Sequence, residues 1–166
     1  MRYSIRPATL EDAASIQAIY AHHVKTGTGT FELDPPDLAE IQARMDKISK
    51  RGSPWLVACR EAGDIIGYAY AGAFRERPAY NCTVEDSIYL APEAIGHGVG
   101  RALLAELIAQ CTKSGYTQML AVIGDSGNLA SIGLHRAMGF TDIGVLREVG
   151  HKFGRYLDVV ILQKSL

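Results

Sequence analysis

Gly96, Gly98 and Gly100 occupy every second position of "IGHGVGRALL", directly before an apolar run at helical spacing. Such a turn suits an anion. Glycine lets the main chain approach a phosphate with no Cβ in the way, and the first turn of a helix carries amide N–H groups without intrahelical partners. The spacing excludes two nucleotide fingerprints. Counting G-x-G-x-x-G from Gly96 puts Arg101 at the third glycine, counting from Gly98 puts Leu103 there, and no Gly-Lys-Ser/Thr follows. A phosphate cradle and a plain tight turn both remain open. Arg75 and Arg77 flank Glu76 in "FRERPAY" and share a face if a strand runs through them. Guanidinium forks suit a carboxylate or a phosphinate; the plain alternative is a charged loop in solvent. Glu85 in "TVEDSIYL" is a carboxylate that could take a proton if partial burial raised its pKa, or else a solvated or salt-bridged one.

These residues need elements to hold them. "YSIRPA" reads as a strand, and Thr9 with Asp12 forms a capping signature before a helix carrying Ile16, Ile19 and Tyr20. "KTGTGTFELDPP" is a loop, and a second helix is predicted over about Leu38 to Lys50. "WLVACRE" and "IIGYAYAGAF", joined by "AGD", predict an antiparallel hairpin. In the next strand Val84, Asp86, Ile88 and Leu90 share one face, and Glu85, Ser87 and Tyr89 the other. Glu85 and Asp86 therefore line different surfaces unless a bulge intervenes, and Asp86 is expected to be structural or to support other residues. After the glycine turn, Val99, Leu103, Leu107 and Cys111 form one helical stripe. "MLAVIG" is a buried strand, "NLASIGLHRAMGF" a helix stopped by Gly139, and two strands near "DIGVLREVG" and "YLDVVILQ" close the chain. The sum is one α/β domain over residues 1–166. Its expected core is a mixed, mostly antiparallel twisted sheet of six to seven strands flanked by about four helices.

A strand, the x-x-x-Gly-x-Gly turn, an amphipathic helix, a strand and an N-x-x-[AS] helix together resemble the GNAT superfamily of acetyl-coenzyme A-dependent N-acetyltransferases. Gly98 and Gly100 match that family's [QR]-x-x-G-x-[GA] motif, while Ile95 replaces its usual Gln or Arg. The resemblance implies acetyl-CoA as cosubstrate, with Gly96, His97, Gly98, Val99, Gly100, Arg101 and Asn128 holding it. Ile88, Tyr89 and Leu90 would bind it through the backbone, as a neighbouring strand does. It also implies Glu85 as general base. His135, in register where the family usually has a tyrosine, would protonate the departing thiolate or pair with the base. "TGTGTFELDPP", "FRERPAYNCTVEDSIYL" and "HKFGRYLDV" resemble the phosphinothricin and methionine sulfoximine/sulfone N-acetyltransferase branch. The likeness runs from Ile5 to Gln163. In that setting Arg75, Arg77 and Glu85 would meet the acceptor, with Phe31 and Tyr80 as walls.

A formal net charge of −1, with 48% apolar and 21% charged residues, provides no basic field for nucleic acid or an anionic membrane. "MRYSIRPATL" lacks a signal-peptide core, so the expectation is a cytoplasmic protein. Cys59, Cys82 and Cys111 form no CxxC pair and sit in apolar stretches, which predicts buried reduced thiols. No metal is expected, since His22, His23 and His151 lack partners at ligand spacing. The leading expectation is direct acetyl transfer to the primary amine of a small amino-acid-like molecule. A GNAT acting on a peptide or protein N-terminus or another amine is the enzymatic rival. A silent coenzyme A-binding sensor is the rival of another class, and Glu85 with His135 argues against it. The resemblance and the two late strands also lead one to expect a homodimer.

Overall fold

Alternation and helical spacing translate into one sheet with helices on both faces. The computed structural model describes residues 1–166. Its strands are β1 (Tyr3–Pro7), β2 (Trp55–Arg60), β3 (Ile65–Ala73), β4 (Thr83–Leu90), β5 (Gln118–Gly124), β6 (Thr141–Lys152) and β7 (Arg155–Ser165). They lie in the order β1-β2-β3-β4-β5-β7-β6, every neighbouring pair antiparallel except β4 with β5. The helices are α1 (Ala13–Thr26), α2 (Leu38–Lys50), α3 (Val99–Lys113) and α4 (Leu129–Ala137). Seven strands and four helices match the expected class. No helix is long and apolar enough to cross a membrane.

The period-2 alternation of β2 feeds two cores. Leu56 and Ala58 pack toward α3 and α4, while Trp55 and Val57 pack toward α1 and α2. The predicted stripe of α3, joined by Leu104, is fully buried in the first of these. Cutting one such leucine to alanine in a core of this kind costs about 2–5 kcal/mol. Asp12 fixes the start of α1. Its carboxylate accepts from Thr9 N at 2.8 Å and from both terminal nitrogens of Arg6 on β1 at 2.7 Å. That fork-to-fork pair ties the helix to the sheet edge.

Two expectations are corrected. β3 ends at Ala73, so Arg75 and Arg77 lie in the loop before a 3-10 turn at Pro78–Tyr80, and no strand alternation aligns them. Cys82 is exposed and Cys59 half-buried; only Cys111 is a buried thiol. Cys82 stands just ahead of β4, where the chain has left the core and its carbonyl accepts from Thr117 N.

The feature that positions the site is an interruption. β4 and β5 pair in parallel only from Thr83/Gln118 to Asp86/Ala121. Beyond that point β4 stays paired to β3 as far as Leu90, and β5 stays paired to β7 as far as Gly124. The sheet forks there.

Candidate active site

The fork opens into a cavity of about 590 Å³ between Ser87–Leu90 of β4 and Ala121–Ile123 of β5. The glycine turn and the start of α3 close one end, and Asn128 with the first turn of α4 forms another wall. Gly96 and Gly98 have φ of +80° and +78°, a region where a side chain is strained whatever the space around it. Gly98 precedes α3, and no side chain caps that helix, so its first amides are free to receive an anion. Ile95 stands exposed on the cavity rim. Gly96, Gly98, Gly100, Arg101, Asn128, Ile88, Tyr89 and Leu90 all line the cavity. Two expected residues do not: the side chain of His97 is exposed away from it, and that of Val99 is buried in the core. Asn128 also caps α4, its Oδ1 accepting from Ser131 N at 3.3 Å.

His135 and Asp86 meet where the fork begins. His135 Nε2 lies 2.9 Å from Asp86 Oδ2, and its Nδ1 lies 2.7 Å from the Ser131 carbonyl. Only 4% of His135 and 7% of Asp86 is exposed. Burial pulls the His135 pKa down, but the hydrogen bond and charge of Asp86 outweigh it and the net shift is upward. Of the two alternatives for His135, pairing with Glu85 is corrected. β4 runs through both residues with no bulge, so Glu85 faces the α1/α2 side and Asp86 takes the histidine. This agrees with the supporting role expected of Asp86.

Glu85 is half-buried, and burial first, then the negative charge of Asp86, push its pKa up to about 7 against the opposing pull of Arg75. A carboxylate in that range exchanges protons near neutral pH. Arg75 is exposed, with its guanidinium carbon 5.1 Å from the Phe74 ring centre, and Phe74 meets Tyr80 edge-on at 5.6 Å. Arg77 and Tyr80 are exposed and lie outside the cavity lining.

Phe31 is seated by two glycines. A Cβ built on Gly124 would lie 2.8 Å from Phe31 Cε1 and 2.5 Å from the Thr28 carbonyl oxygen, and one on Gly150 would overlap the same ring. Three bonds hold this loop: the long-range ones from Lys152 Nζ to the Thr30 carbonyl at 2.9 Å and from Thr28 Oγ1 to Asp125 Oδ2 at 2.9 Å, and the nearer one between the Tyr20 and Thr30 hydroxyls at 2.8 Å. Arg155 holds the same Asp125 oxygen at 2.7 Å. Sequence reasoning gave Thr28, Thr30, Asp125, Lys152 and Arg155 no role of their own. It also passed over His23, whose Nε2–H donates to the Leu90 carbonyl at 2.7 Å inside the cavity. No local pattern marks such contacts.

The whole chain compares with known proteins at this level of detail. Residues 5–161 match the model of the acetyltransferase (GNAT) domain. The chain belongs to the GNAT acetyltransferase family. A phosphinothricin N-acetyltransferase of Alcaligenes faecalis is 53% identical, over 98% of this chain and 82% of that protein. A methionine sulfoximine/methionine sulfone acetyltransferase of Pseudomonas aeruginosa is 42% identical, over all of this chain and 96% of that one. The crystal structure of a GNAT phosphinothricin acetyltransferase from Sinorhizobium meliloti in complex with acetyl-CoA superposes with a TM-score of 0.97. It is 48% identical and covers all of this chain and 89% of that one. This GNAT enzyme is an acetyl-CoA-dependent N-acetyltransferase. The open amides of α3, the left-handed glycines and the unpaired edge of β4 fit such a cosubstrate.

The seat of Phe31 generates a prediction. Gly150→Ala should drive the ring out of its slot and raise the KM for the amine acceptor about ten-fold. The KM for acetyl-CoA should change less, because Phe31 itself is not among the residues that line the cavity, although Thr28 and Gly29 of the same loop are. Gly133→Ala, on a helix face with open space, is the control and should leave both unchanged. Steady-state kinetics in both substrates measures this.

Proposed function

We propose that this enzyme acetylates the primary amine of a small amino-acid-like acceptor of the phosphinothricin, methionine sulfoximine or methionine sulfone class. The amine attacks directly in a ternary complex, and no covalent enzyme intermediate forms. The observation that carries this reading is the placement of Glu85 and His135 on opposite faces of β4, beside the fork. A base on one face and an acid on the other suit an amine arriving from the α1/α2 side and a thiol leaving into the cavity. The names of the relatives support the acceptor class. The arginine-bearing loop beside Glu85 supports it chemically, since such acceptors carry a carboxylate.

Acetyl-CoA supplies an acetyl group activated as a thioester. The backbone of Ile88, Tyr89 and Leu90 lies along the edge of β4 that β5 has left, and can pair with an amide-bearing chain as a strand would. An N–H on that edge also polarises a carbonyl oxygen that gains negative charge during attack. Gly96, Gly98, Gly100 and Arg101, with the amides of His97 and Val99, take the pyrophosphate, and Asn128 flanks it. Glu85 removes the proton that an ammonium carries at neutral pH. Arg75 clamps the acceptor carboxylate, with Arg77 further out, while Phe31 and Tyr80 serve as walls for the acceptor outside the coenzyme cavity. His135 gives a proton to the departing sulfur.

The pH dependence follows from Glu85. Its base form is lost as pH falls through about 7, so kcat/KM should drop ten-fold per pH unit below that value. Glu85→Gln should remove this acid limb and lower kcat/KM by about 10²–10⁴ at pH 8. A variant with the limb intact and full activity would exclude Glu85 as the base.

Arg75→Ala should raise the KM for a carboxylate-bearing acceptor at least about ten-fold and leave that for acetyl-CoA alone. Because Arg75 pulls the Glu85 pKa down, its loss should also move the acid limb to higher pH. Rates for phosphinothricin, methionine sulfoximine, methionine sulfone and ordinary amino acids, measured side by side, test the acceptor class.

The enzyme acts in the cytoplasm, in keeping with three free cysteines, and as a homodimer. β6 is the outermost strand of the sheet, and Ile143, Val145, Leu146 and Val149 on it, with Phe153 and Tyr156 beyond, expose apolar surface. An edge strand of this length with an apolar surface is an association site. Sedimentation at micromolar concentration should give about twice the 18.0 kDa chain mass. A single 18.0 kDa species would overturn the dimer.

A further inference from the structure

We propose that Gly72 on β3 is a specificity-determining residue for the acceptor: the α-carbon of an α-amino acid lies in the slot that its missing side chain leaves beside Glu85. The amine then meets Glu85 and the carboxylate meets Arg75. This rests on the reading of Glu85 as base and Arg75 as clamp, and the fold carries the rest.

Gly72 is the direct cross-strand partner of Glu85, in a β3/β4 ladder that runs without a register shift from Gly67 to Ala73. Side chains at such paired positions stand about 5 Å apart. Strand alternation puts Gly72 on the face of Tyr68 and Tyr70, which pack toward α1 and α2, while Ala69 and Ala71 lie in the core beneath α3. The row continues across the sheet through Leu120 on β5 to Gln163 on β7. An amine reaching Glu85 on this face therefore has Gly72 on one side and Leu120 on the other. Gly72 and Glu85 are both half-buried, so neither is sealed under the helices.

A glycine inside a strand often marks a bulge, a tight bend, or a close approach by another backbone or a ligand. The ladder at Gly72 has no bulge, and its φ is not positive. A Cβ built there would have the Tyr70 ring at 3.8 Å and the Glu85 carbonyl oxygen at 3.9 Å, which are ordinary contact distances. Gly67 in the same strand shows what a structural demand looks like, since a Cβ on it would lie 2.6 Å from Leu90 Cδ2. Nothing in the fold requires a bare α-carbon at Gly72. A ligand does.

Arg75 stands three residues further on, in the loop into which β3 runs. Its charge reaches Glu85 and pulls that carboxyl's pKa down, so the two groups are near enough to share one small molecule. The amine and carboxylate of an α-amino acid sit on the same carbon. The strand position that adjoins Glu85 and leads into the Arg75 loop is Gly72, so that carbon lies over it.

Gly72→Ala tests the slot. Replacing glycine at an extended position reduces the freedom of the unfolded chain, so Tm should rise by about 1–4 °C. With acetyl-CoA and methionine sulfone, kcat/KM for the acceptor should nevertheless fall at least about ten-fold, because the new methyl takes the place of the α-carbon. The KM for acetyl-CoA should stay within about two-fold, since Gly72 does not line the coenzyme cavity. The acid limb of the pH profile should persist, since Glu85 is untouched. Gly133→Ala, in open space on α4, should share the rise in Tm and keep the wild-type rate. A fall in Tm for Gly72→Ala would make the glycine structural and overturn the slot. So would an unchanged kcat/KM in a variant that melts no lower than wild type; if Glu85→Gln and Arg75→Ala still lose activity, the acceptor reading survives. A wild-type enzyme that acetylates no carboxylate-bearing amine overturns that reading itself, and the slot with it.

Discussion

Main-chain N–H and C=O groups must be paired, and a sheet that forks leaves a row of them without a strand. In this protein β4 and β5 are each held from outside, by β3 and by β7, well past the last residue at which they pair with one another. Neither strand can swing back to close the gap without breaking a ladder on its far side. The unpaired edge of β4 is therefore a fixed feature of the fold, and its hydrogen-bonding demand suits the amides of an extended ligand. His23 takes up one carbonyl of this edge, at Leu90, and so limits where along the strand a ligand can pair. The helix that crosses from β4 to β5 starts beside the gap, so the same connection that makes the pair parallel also delivers open amides for a phosphate. Strand edge and helix terminus belong to one piece of topology.

At the apex of the fork, strand alternation separates two carboxylates that are adjacent in sequence. Asp86 turns toward α4 and Glu85 toward α1 and α2, yet the charge of Asp86 still reaches Glu85 across the strand. One buried residue thus raises the pKa of both Glu85 and His135. Such a pair is poor economy for stability, because taking two charges out of water costs several kcal/mol that their attraction need not recover. What the pair does is fix the imidazole: Asp86 on Nε2 and the Ser131 carbonyl on Nδ1 hold both ring nitrogens at the apex of the fork.

Much of this was legible in the sequence because it is local. The span predicted for α2, about Leu38 to Lys50, is the observed one, and the four-residue stripe of α3 buries as its period requires. Alternation in "TVEDSIYL" placed Glu85 and Asp86 on opposite faces. The partner of His135 was not legible, since it lies 49 residues away and nothing in a helix period names it. A shared face for Arg75 and Arg77 requires the strand to run through them; it stops at Ala73, which leaves the charged-loop alternative. Cys82 sat in an apolar-looking stretch but precedes the first paired residue of β4, where the core no longer covers it.

The seat of Phe31 shows the same limit more sharply. Phe31 lies in a loop that reads as featureless, yet its ring is placed by absent side chains on two distant strands, Gly124 of β5 and Gly150 of β6. The buried ammonium of Lys152, itself on β6, clamps the loop through a bond spanning 122 residues. Burial lowers the pKa of that lysine, but its single strong bond is to a neutral carbonyl, which an amine satisfies in either charge state. The clamp is therefore insensitive to the pH range in which Glu85 titrates. The contacts that seat Phe31 and those that join Asp86 to His135 share no residue, so the ring can be repacked without touching that pair.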